Sequence, residues 1–412
     1  MTQLTRDREP TAFGISARTA KALAEPWRIR ILAAVSIKPL SPSQFVEEVG
    51  GDLTHISRCF RQLAAWGYIE IVEVRPGRRR GAALEHVYRA IRRAYFDTRI
   101  WESVARSKRD AVSRSVINSY QERIREALEA GTFDQDLDRH LSWDAVALDR
   151  RAWTEVGSRL DSILDSLAEH ELKAANRLAI RGERILTTVG LAAFRSPGSP
   201  LQMLRGARRH LGPADIEEPG DFVALGPKLA KALSNPWRCK ILSAVSIRPL
   251  SPSQFVEESG GSLTYISRCF RDLARWGYLE ILEERKGGRH GGGIEKIYRS
   301  TRRPYFDTRT WEALPQIVRD EISQFFLDTY FDRITEAVEA GTFDADTDRH
   351  LSWKPVVIDR VAWEEIGQTL DETLAWLPEL ETESLERTQD AETLISTTVG
   401  LASFRSPFSS SQ

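Results

Sequence analysis

Residues 57–71 read SRCFRQLAAWGYIEI, and residues 267–281 read SRCFRDLARWGYLEI, which differs at three positions. Residues 131–134 (GTFD) return at 341–344, and residues 187–190 (TTVG) return at 397–400. Every pair is offset by 210 residues, so the two copies align without a gap. A chain written twice carries two near-equivalent surfaces and can imitate a symmetric dimer within one polypeptide.

The composition is that of a globular protein, with 41% hydrophobic and 28% charged residues in a chain of 412. Residues 1–10 are polar and lack the apolar centre of a secretory signal, and no apolar stretch is long enough to span a bilayer. The three cysteines, Cys59, Cys239 and Cys269, form no CxxC pair. We therefore expect a cytoplasmic protein that does not associate with membranes.

Positive charge is concentrated in one segment of each copy. Residues 52–93 hold nine arginines and four acids, and residues 262–303 hold ten basic residues and five acids. The whole chain has a net charge of −1, so the remainder is acidic. This distribution is typical of a nucleic-acid footprint, although a solvated surface of mixed charge would also produce it.

Helix and turn signals divide each copy into two parts. In the first part, Ser41 and Gln44 form a capping-box pattern around Pro42, and a helix follows that begins at Asp52 or Thr54. Residues 68–74 alternate as a strand, and residues 84–90 are a plausible return strand. The second part of each copy is predicted to be mostly long helices.

The predicted fold class is therefore predominantly α with small β-hairpins (α+β), arising from a tandem duplication. The segments 195–221 are rich in proline and glycine, which indicates a linker between the copies. The predicted domains are 14–93 and 222–303, each a helix–hairpin domain, with helical domains at 94–194 and 304–406.

The order of helices, turn, helix and basic hairpin resembles the ArsR-like family of winged helix-turn-helix transcriptional regulators. The resemblance rests on residues 23–32 (LAEPWRIRIL), on Ser41 with Phe45 and Val46, and on residues 56–69 (ISRCFRQLAAWGYI). It covers about 75 residues in each copy. It implies a sequence-specific regulator of transcription that binds double-stranded DNA, commonly as a repressor that blocks promoter access.

The resemblance further implies that residues 52–66 and 262–276 form helices that enter the major groove. Outward polar side chains on such a helix can reach base edges, and an arginine there can bind either guanine or a phosphate. The expected DNA-binding residues of the two helices are Thr54, His55, Ser57, Arg58, Arg61, Thr264, Tyr265, Ser267, Arg268 and Arg271.

The hairpin tips carry further cations that suit contact with phosphates or with the minor groove. They are Arg78, Arg79 and Arg80 in the first copy and Lys286, Arg289 and His290 in the second. The two groove helices differ mainly at His55/Tyr265 and Gln62/Asp272, which predicts an imperfect repeat as the operator. Two alternatives remain: a winged-helix scaffold with a protein-interaction or architectural role, and a small-molecule-responsive sensor whose ligand binds in the helical domains.

Long amphipathic stripes in the second part predict helices that pair the two halves or pack on the hairpin domains. One stripe is Val112, Val116, Tyr120, Ile124 and Leu128, and a second helix begins near Arg150. Pairing of the halves would make a pseudo-dimer within one chain, and further dimerisation with a second chain remains possible. The aromatic residues Trp101, Tyr120, Phe133, Trp143 and Trp153 could line a pocket for a small apolar effector, or simply fill a core.

The pattern Asp134-x-Asp136-x-Asp138-x-His140 returns at Asp344 to His350. It fails as an EF-hand because Arg139 replaces the required glycine and Ala145 the final glutamate. Three interpretations of the pattern remain: a looser metal site, capping of a loop, and a solvated surface. Residues 43–48 lack the paired cysteines of the family's metal sensors, so metal sensing is not implied.

No sequence pattern supports catalysis. The glycine-rich residues 287–293 lack the Gly-Lys-Ser/Thr of a P-loop, and the chain has no Gly-x-Ser-x-Gly, no His-Glu-x-x-His and no zinc-type Cys/His spacing. We therefore expect a protein that is not an enzyme and needs no cofactor.

Overall fold

The computed structural model describes residues 24–76, 84–91, 101, 105–180, 182–198, 235–286, 294–301, 311, 315–388 and 390–407. We call residues 24–198 the first half and residues 235–407 the second half. The fold mixes helices and strands, in agreement with the predicted α+β class.

The first half contains α1 (Pro26–Ile37), α2 (Pro42–Val49), α3 (Leu53–Ala65), β1 (Ile69–Arg75), β2 (Glu85–Ala90), α4 (Arg106–Glu129), β3 (His140–Leu148), α5 (Arg150–Leu178) and β4 (Ile185–Arg195). The second half contains α6 (Pro236–Ile247), α7 (Pro252–Ser259), α8 (Leu263–Arg275), β5 (Leu279–Lys286), β6 (Ile294–Ser300), α9 (Gln316–Glu339), β7 (His350–Ile358), α10 (Arg360–Arg387), a 3-10 turn (Ala391–Thr393) and β8 (Ile395–Arg405).

Three short helices and a two-stranded hairpin form a compact unit in each half, which we call the helix–hairpin unit. Ser41 begins α2 with the predicted capping box, because its side chain accepts from the Gln44 amide while Gln44 accepts from the Ser41 amide. Asp52 caps α3 by accepting from the His55 amide at 2.7 Å. Gly67, with φ of 77°, ends that helix and lets the chain turn into β1.

Each helix–hairpin unit has a core built mainly from its own half. In the first half the ring of Phe60 lies 5.9 Å from that of Phe45 and 5.2 Å from that of Tyr88. Leu40 and Tyr88 exchange backbone hydrogen bonds, which attaches the hairpin to the helices. The second half repeats this arrangement at Phe255, Phe270 and Tyr298.

The centre of the molecule is a four-stranded antiparallel sheet to which both halves contribute. Its strand order is β3-β8-β4-β7, so strands of the first and second halves alternate. Strands β3 and β4 run parallel to each other and are joined through α5, but β8 of the other half lies between them. Neither half therefore completes this sheet by itself.

Helices cover both faces of the central sheet. On β4, Val189 and Leu191 belong to the core that includes α5 and α10, whereas Ala192 and Phe194 belong to the core that includes α4 and α9. Alternation of side chains along a strand explains this division. The predicted helices around residues 112–128 and from residue 150 are confirmed as α4 and α5.

The prediction that 94–194 and 304–406 are helical is incomplete, because each segment also supplies two strands to the central sheet. Residues Ile185–Phe194 of β4 are all buried, since helices cover both faces. A strand buried on both faces reads as a continuous apolar run, without the polar–apolar alternation that marks a strand in the sequence.

The predicted linker begins too early at Arg195, which is the last residue of β4 and forms an ion pair with Asp346 at 2.7 Å. Residues 14–23 of the first predicted domain and residues 199–221 of the linker lie outside the described residues. In the part of the chain that the structure describes, no helix combines the length and the apolarity needed to cross a lipid bilayer.

Candidate nucleic-acid interface

Helix α3 buries one stripe and exposes the opposite face. Ile56, Phe60 and Leu63 are fully buried in the helix–hairpin core. The predicted residues on the other side are accessible: Thr54, Arg58 and Arg61 are exposed, and His55 and Ser57 are half-buried. The burial pattern follows from the 3–4 spacing of the apolar residues.

Helix α8 repeats this division in the second half. Ile266, Phe270 and Leu273 are buried. Its accessible predicted residues are Thr264, Tyr265, Arg268 and Arg271, which are exposed, and Ser267, which is half-buried. The two helices therefore present matched sets of hydroxyl and guanidinium groups to the surface.

The arginines on these faces are only lightly engaged. Arg58 contacts Nδ1 of His55 at 3.1 Å, and Arg61 donates to the carbonyl of Ser57, one turn earlier, at 3.3 Å. Arg271 makes the same backbone contact with Ser267 at 3.2 Å, and Arg268 forms no ion pair with any described residue. Within the described part of the chain no carboxylate pairs with these guanidinium groups, which suits them to an anionic partner.

The outer faces differ at one predicted position, and a neighbouring residue differs with it. In the first half, His55 lies 3.6 Å from the carboxylate of Glu25. In the second half, the hydroxyl of Tyr265 accepts from the amide of Asn235 at 2.7 Å. The two helix starts therefore offer different side chains to a ligand. Their caps differ as well, because the Asp52 side chain accepts from the His55 amide whereas the Ser262 side chain makes no cap hydrogen bond.

The second predicted difference does not reach the outer face. Gln62 is half-buried and accepts from Arg28 at 3.0 Å, and Asp272 is buried and pairs with Arg238 at 3.4 Å. Of the two differences between these helices, His55/Tyr265 is therefore the one that changes the outer face. Gln62 lies one turn beyond Arg58 along α3, at the point where Arg28 of α1 reaches it.

Two exposed apolar residues were missed at the starts of these helices. Leu53 is 45% exposed and Leu263 is 46% exposed, although the 3–4 spacing of apolar residues favours a buried position for Leu53 beside Ile56 and Phe60. A first-turn residue has no preceding helical turn and extends beyond the end of the packed core. Their exposure could have been predicted from their position in the sequence, directly after the N-cap residues Asp52 and Ser262.

The described parts of the hairpins carry paired charges. Arg75 binds Glu73 at 2.6 Å, and the hydrogen bond from Arg75 lowers the pKa of the Glu73 carboxyl. Arg285 pairs with Glu283 in the same way at 2.9 Å. The predicted tip residues Arg78, Arg79, Arg80, Arg289 and His290 lie outside the described residues, and only the backbone of Lys286 is described.

The two described cysteines are on the inner side of these helices. Cys59 and Cys269 are 1% and 2% exposed, and burial raises the pKa of both thiols. A buried thiol with a raised pKa stays protonated at neutral pH and is a poor nucleophile. Their environment suits small core side chains.

Comparison with known proteins does not add to this geometry. The chain matches no protein-family model, no curated protein and no solved structure at a significant level.

The Asp-x-Asp-x-Asp-x-His motif, which each half contains once, joins the two halves. Asp136 and Asp138 of the first half bind Arg360 of the second half at 3.1 and 2.6 Å. Asp346 and Asp348 bind Arg150 reciprocally at 2.9 and 3.0 Å. His140 contacts Asp371 across the same boundary at 2.9 Å.

The first aspartate of each motif is buried in a cluster that also crosses between halves. Asp134 pairs with Arg139 and accepts from Ser323 at 3.0 Å, and Arg139 also donates to Ser323 at 2.5 Å. The twin cluster contains Asp344, Arg349 and Ser113. These ion pairs and hydrogen bonds make the motifs contacts between the halves. Among the described residues, no three His, Cys, Asp or Glu side chains group as metal ligands.

The predicted aromatic pocket does not form as one site. Trp101 belongs to the core of the first helix–hairpin unit, whereas Tyr120 and Phe133 lie beneath the central sheet. Tyr120 packs near Trp353 and Phe404 of the second half, with ring centres 6.5 Å apart in both cases. These rings fill cores, which was the alternative reading of their sequence pattern.

Proposed function

We propose that the chain is a sequence-specific regulator of transcription that binds double-stranded DNA as a single-chain pseudo-dimer. In this proposal the helix–hairpin units are winged helix-turn-helix domains, and α3 and α8 each enter a major groove. The observation that carries the proposal is the pair of matched exposed faces on α3 and α8, each with two arginines and a threonine.

The arrangement of the chain supports simultaneous binding of two half-sites. The central sheet takes alternate strands from the two halves, so the helix–hairpin units are attached to one common body. Linked binding surfaces gain avidity because the second contact is intramolecular. A pseudo-twofold arrangement predicts half-sites about one helical turn, ~34 Å, apart.

The difference between His55 and Tyr265 supports an imperfect repeat as the operator. An imidazole and a phenol at the same helix position offer different hydrogen bonds and apolar surface to a base pair. Leu53 and Leu263 add an apolar contact that suits a thymine methyl group. Bound in a promoter, such a protein would block access and act as a repressor.

The test compares Arg58→Ala and Arg268→Ala with the native chain on an operator selected from random DNA. We expect each change to weaken specific binding by about 1–3 kcal/mol, because an arginine contact to a base edge or phosphate is lost. Fluorescence anisotropy at fixed salt measures the affinity. Arg151→Ala is the matched control, since this exposed arginine lies on α5, away from both faces. Unchanged affinity in both test variants would remove the proposal.

A second candidate function is binding of another protein through the hairpins. Ile71, Val72 and Val74 of β1 are 48%, 41% and 50% exposed, which is an unusual run of apolar surface on one strand. Salt separates the two candidates, because DNA affinity must fall steeply as salt rises when phosphates are contacted. Protein binding through apolar residues would be nearly insensitive to salt.

A further inference from the structure

A cleft of about 140 Å³ lies where the first helix–hairpin unit meets the central body. Its walls come from α1 and α2, from α4, and from β4 and β7. The second half thus contributes through Trp353 and Pro355 to a site that otherwise belongs to the first half. The cleft has the size that accepts one aromatic ring.

Most of the surface of the cleft is apolar. Ala33 and Ile37 of α1 face it with Leu186 of β4 and Trp353 of β7. The charged groups at the cleft are largely paired, since Arg30 binds Glu122 at 3.1 Å and Lys38 binds Glu48 at 2.9 Å. The cleft therefore favours an apolar body rather than a highly charged ligand.

Arg123 of α4 is the polar group that distinguishes the cleft. It donates through Nε to Thr188 at 3.2 Å and through Nη1 to Glu126 at 3.1 Å. Its Nη2 is buried and has no hydrogen-bond acceptor among the described residues. A buried donor without an acceptor is costly. The Arg123 side chain is 15% exposed at the cleft, so a small shift of its guanidinium group would bring Nη2 to an acceptor oxygen on a ligand there.

The second half does not repeat the apolar wall of the cleft at the equivalent place. Val49 and Leu186 correspond to Ser259 and Ser396, and the sequence has Ser243 where the first half has Ala33. Ser396 is 3% exposed and donates to the carbonyl of Gly198 at 3.4 Å. Apolar walls have thus become polar in one copy only, although the flanking helices and strands repeat.

We propose that this cleft binds a small monocyclic aromatic compound that carries one carbonyl or carboxylate oxygen. The ring packs between α1 and Trp353, and the oxygen accepts from Nη2 of Arg123. The ligand then touches the helix–hairpin unit, α4 and the second half together. Binding does not depend on the DNA proposal, but a resulting change in operator affinity does.

Titration of the full-length chain with para-fluorobenzoate and para-fluorobenzamide, followed by fluorine NMR without DNA, tests the site. We expect saturable binding of at least one probe, with a Kd of about 1 mM or tighter for a ligand of this size. Preference for benzoate identifies a carboxylate ligand, and preference for benzamide identifies a neutral carbonyl. Absence of saturable binding by both probes would refute the proposal.

Two variants locate the bound probe. Arg123→Lys removes Nη2 and is expected to weaken binding roughly tenfold or more, whereas Arg333→Lys at the matched position of the second half leaves it unchanged. Ala33→Leu fills the cleft without removing a polar group and is expected to abolish binding. Circular dichroism verifies that each variant is folded. Equal affinity in Ala33→Leu and the native chain would place the probe elsewhere and overturn the inference.

Operator binding without the probe is a separate measurement. If the chain binds the probes but not DNA, the ligand site stands and the regulator proposal fails. If it binds DNA but neither probe, the opposite holds.

Discussion

The helix–hairpin units and the central body use the same duplicated sequence in opposite ways. Each helix–hairpin unit packs its aromatic core, such as Phe45, Phe60 and Tyr88, within one half. The central sheet instead alternates strands of both halves, and the aspartates of one half bind arginines of the other. Duplication therefore produced two repeated units and one shared body.

This difference shows how a single chain can vary its two surfaces. A residue in a helix–hairpin unit, such as His55 or Tyr265, changes without a matching change in the other half. A residue of the shared body must remain compatible with a partner about 200 residues away in sequence, as Arg139 must with Ser323. We expect freedom of substitution in the former and strict pairing in the latter.

Separating the halves would produce the largest effect. A chain of residues 1–198 retains Ser113, Asp134 and Arg139, so two copies can form the same cross-half contacts. We expect it to form a homodimer whose sheet has the order β3-β4-β4-β3, because a lone half leaves sheet edges and apolar faces uncovered. Light scattering after size exclusion measures the mass. A stable folded monomer would contradict the shared-body description.

Removal of one cross-half cation is expected to have the next largest effect. Arg139→Ala leaves the buried carboxylate of Asp134 without its cation and should lower the free energy of unfolding by about 3–5 kcal/mol. Urea unfolding measures the loss. Arg151→Ala is the control, because its exposed pair with Glu155 contributes no more than about 1 kcal/mol. Equal losses in the two variants would show that the cluster is not the link we describe.

A methyl group at Gly190 tests how tightly α4 lies on the sheet. A Cβ atom there would overlap the hydroxyl and ring of Tyr120, which is buried between the halves. We expect Gly190→Ala to lower the free energy of unfolding by about 1–3 kcal/mol, measured in urea. Gly367→Ala on α10 is the matched change, since no atom lies within 4 Å of its added methyl group. It should be neutral or stabilising.

Acid should weaken the helix ends of the shared body by a smaller amount. Asp359 caps α10 and binds Arg177 at 2.5 Å, and this contact lowers the pKa of the carboxyl below its usual range. A lowered pKa means that the stabilisation is present above the ordinary value of 3.8 and is lost as the pH falls through the lowered one. Asp359→Asn should thus destabilise the protein at about pH 7 and have little effect near about pH 2.

Urea unfolding of native and Asp359→Asn chains at both pH values supplies the measurement. An equal difference at the two pH values would mean that the charge of this carboxylate does not contribute. Asp149, which binds Arg387 at 2.7 Å, is the equivalent group at the start of α5 and should behave alike.

The sequence by itself determined the local features of the helix–hairpin units. The caps at Ser41 and Asp52 depend on residues a few positions apart, and each formed where the pattern predicted it. The stop at Gly67 and the buried stripe of α3 have equally local causes. The exposed set on α3 and α8 followed from the same periodicity, apart from Leu53. Its contact with DNA stays a prediction.

Only the tertiary structure decided the shared body. Strands β4 and β8 are buried on both faces and so lack an alternating pattern, and their partners lie far away in sequence. The aspartates that looked like a surface motif are ligands of arginines from the other half, and the cleft at Arg123 joins residues from five elements. Local sequence specifies caps and periodicity, whereas contacts between distant segments exist only once the chain has brought them together.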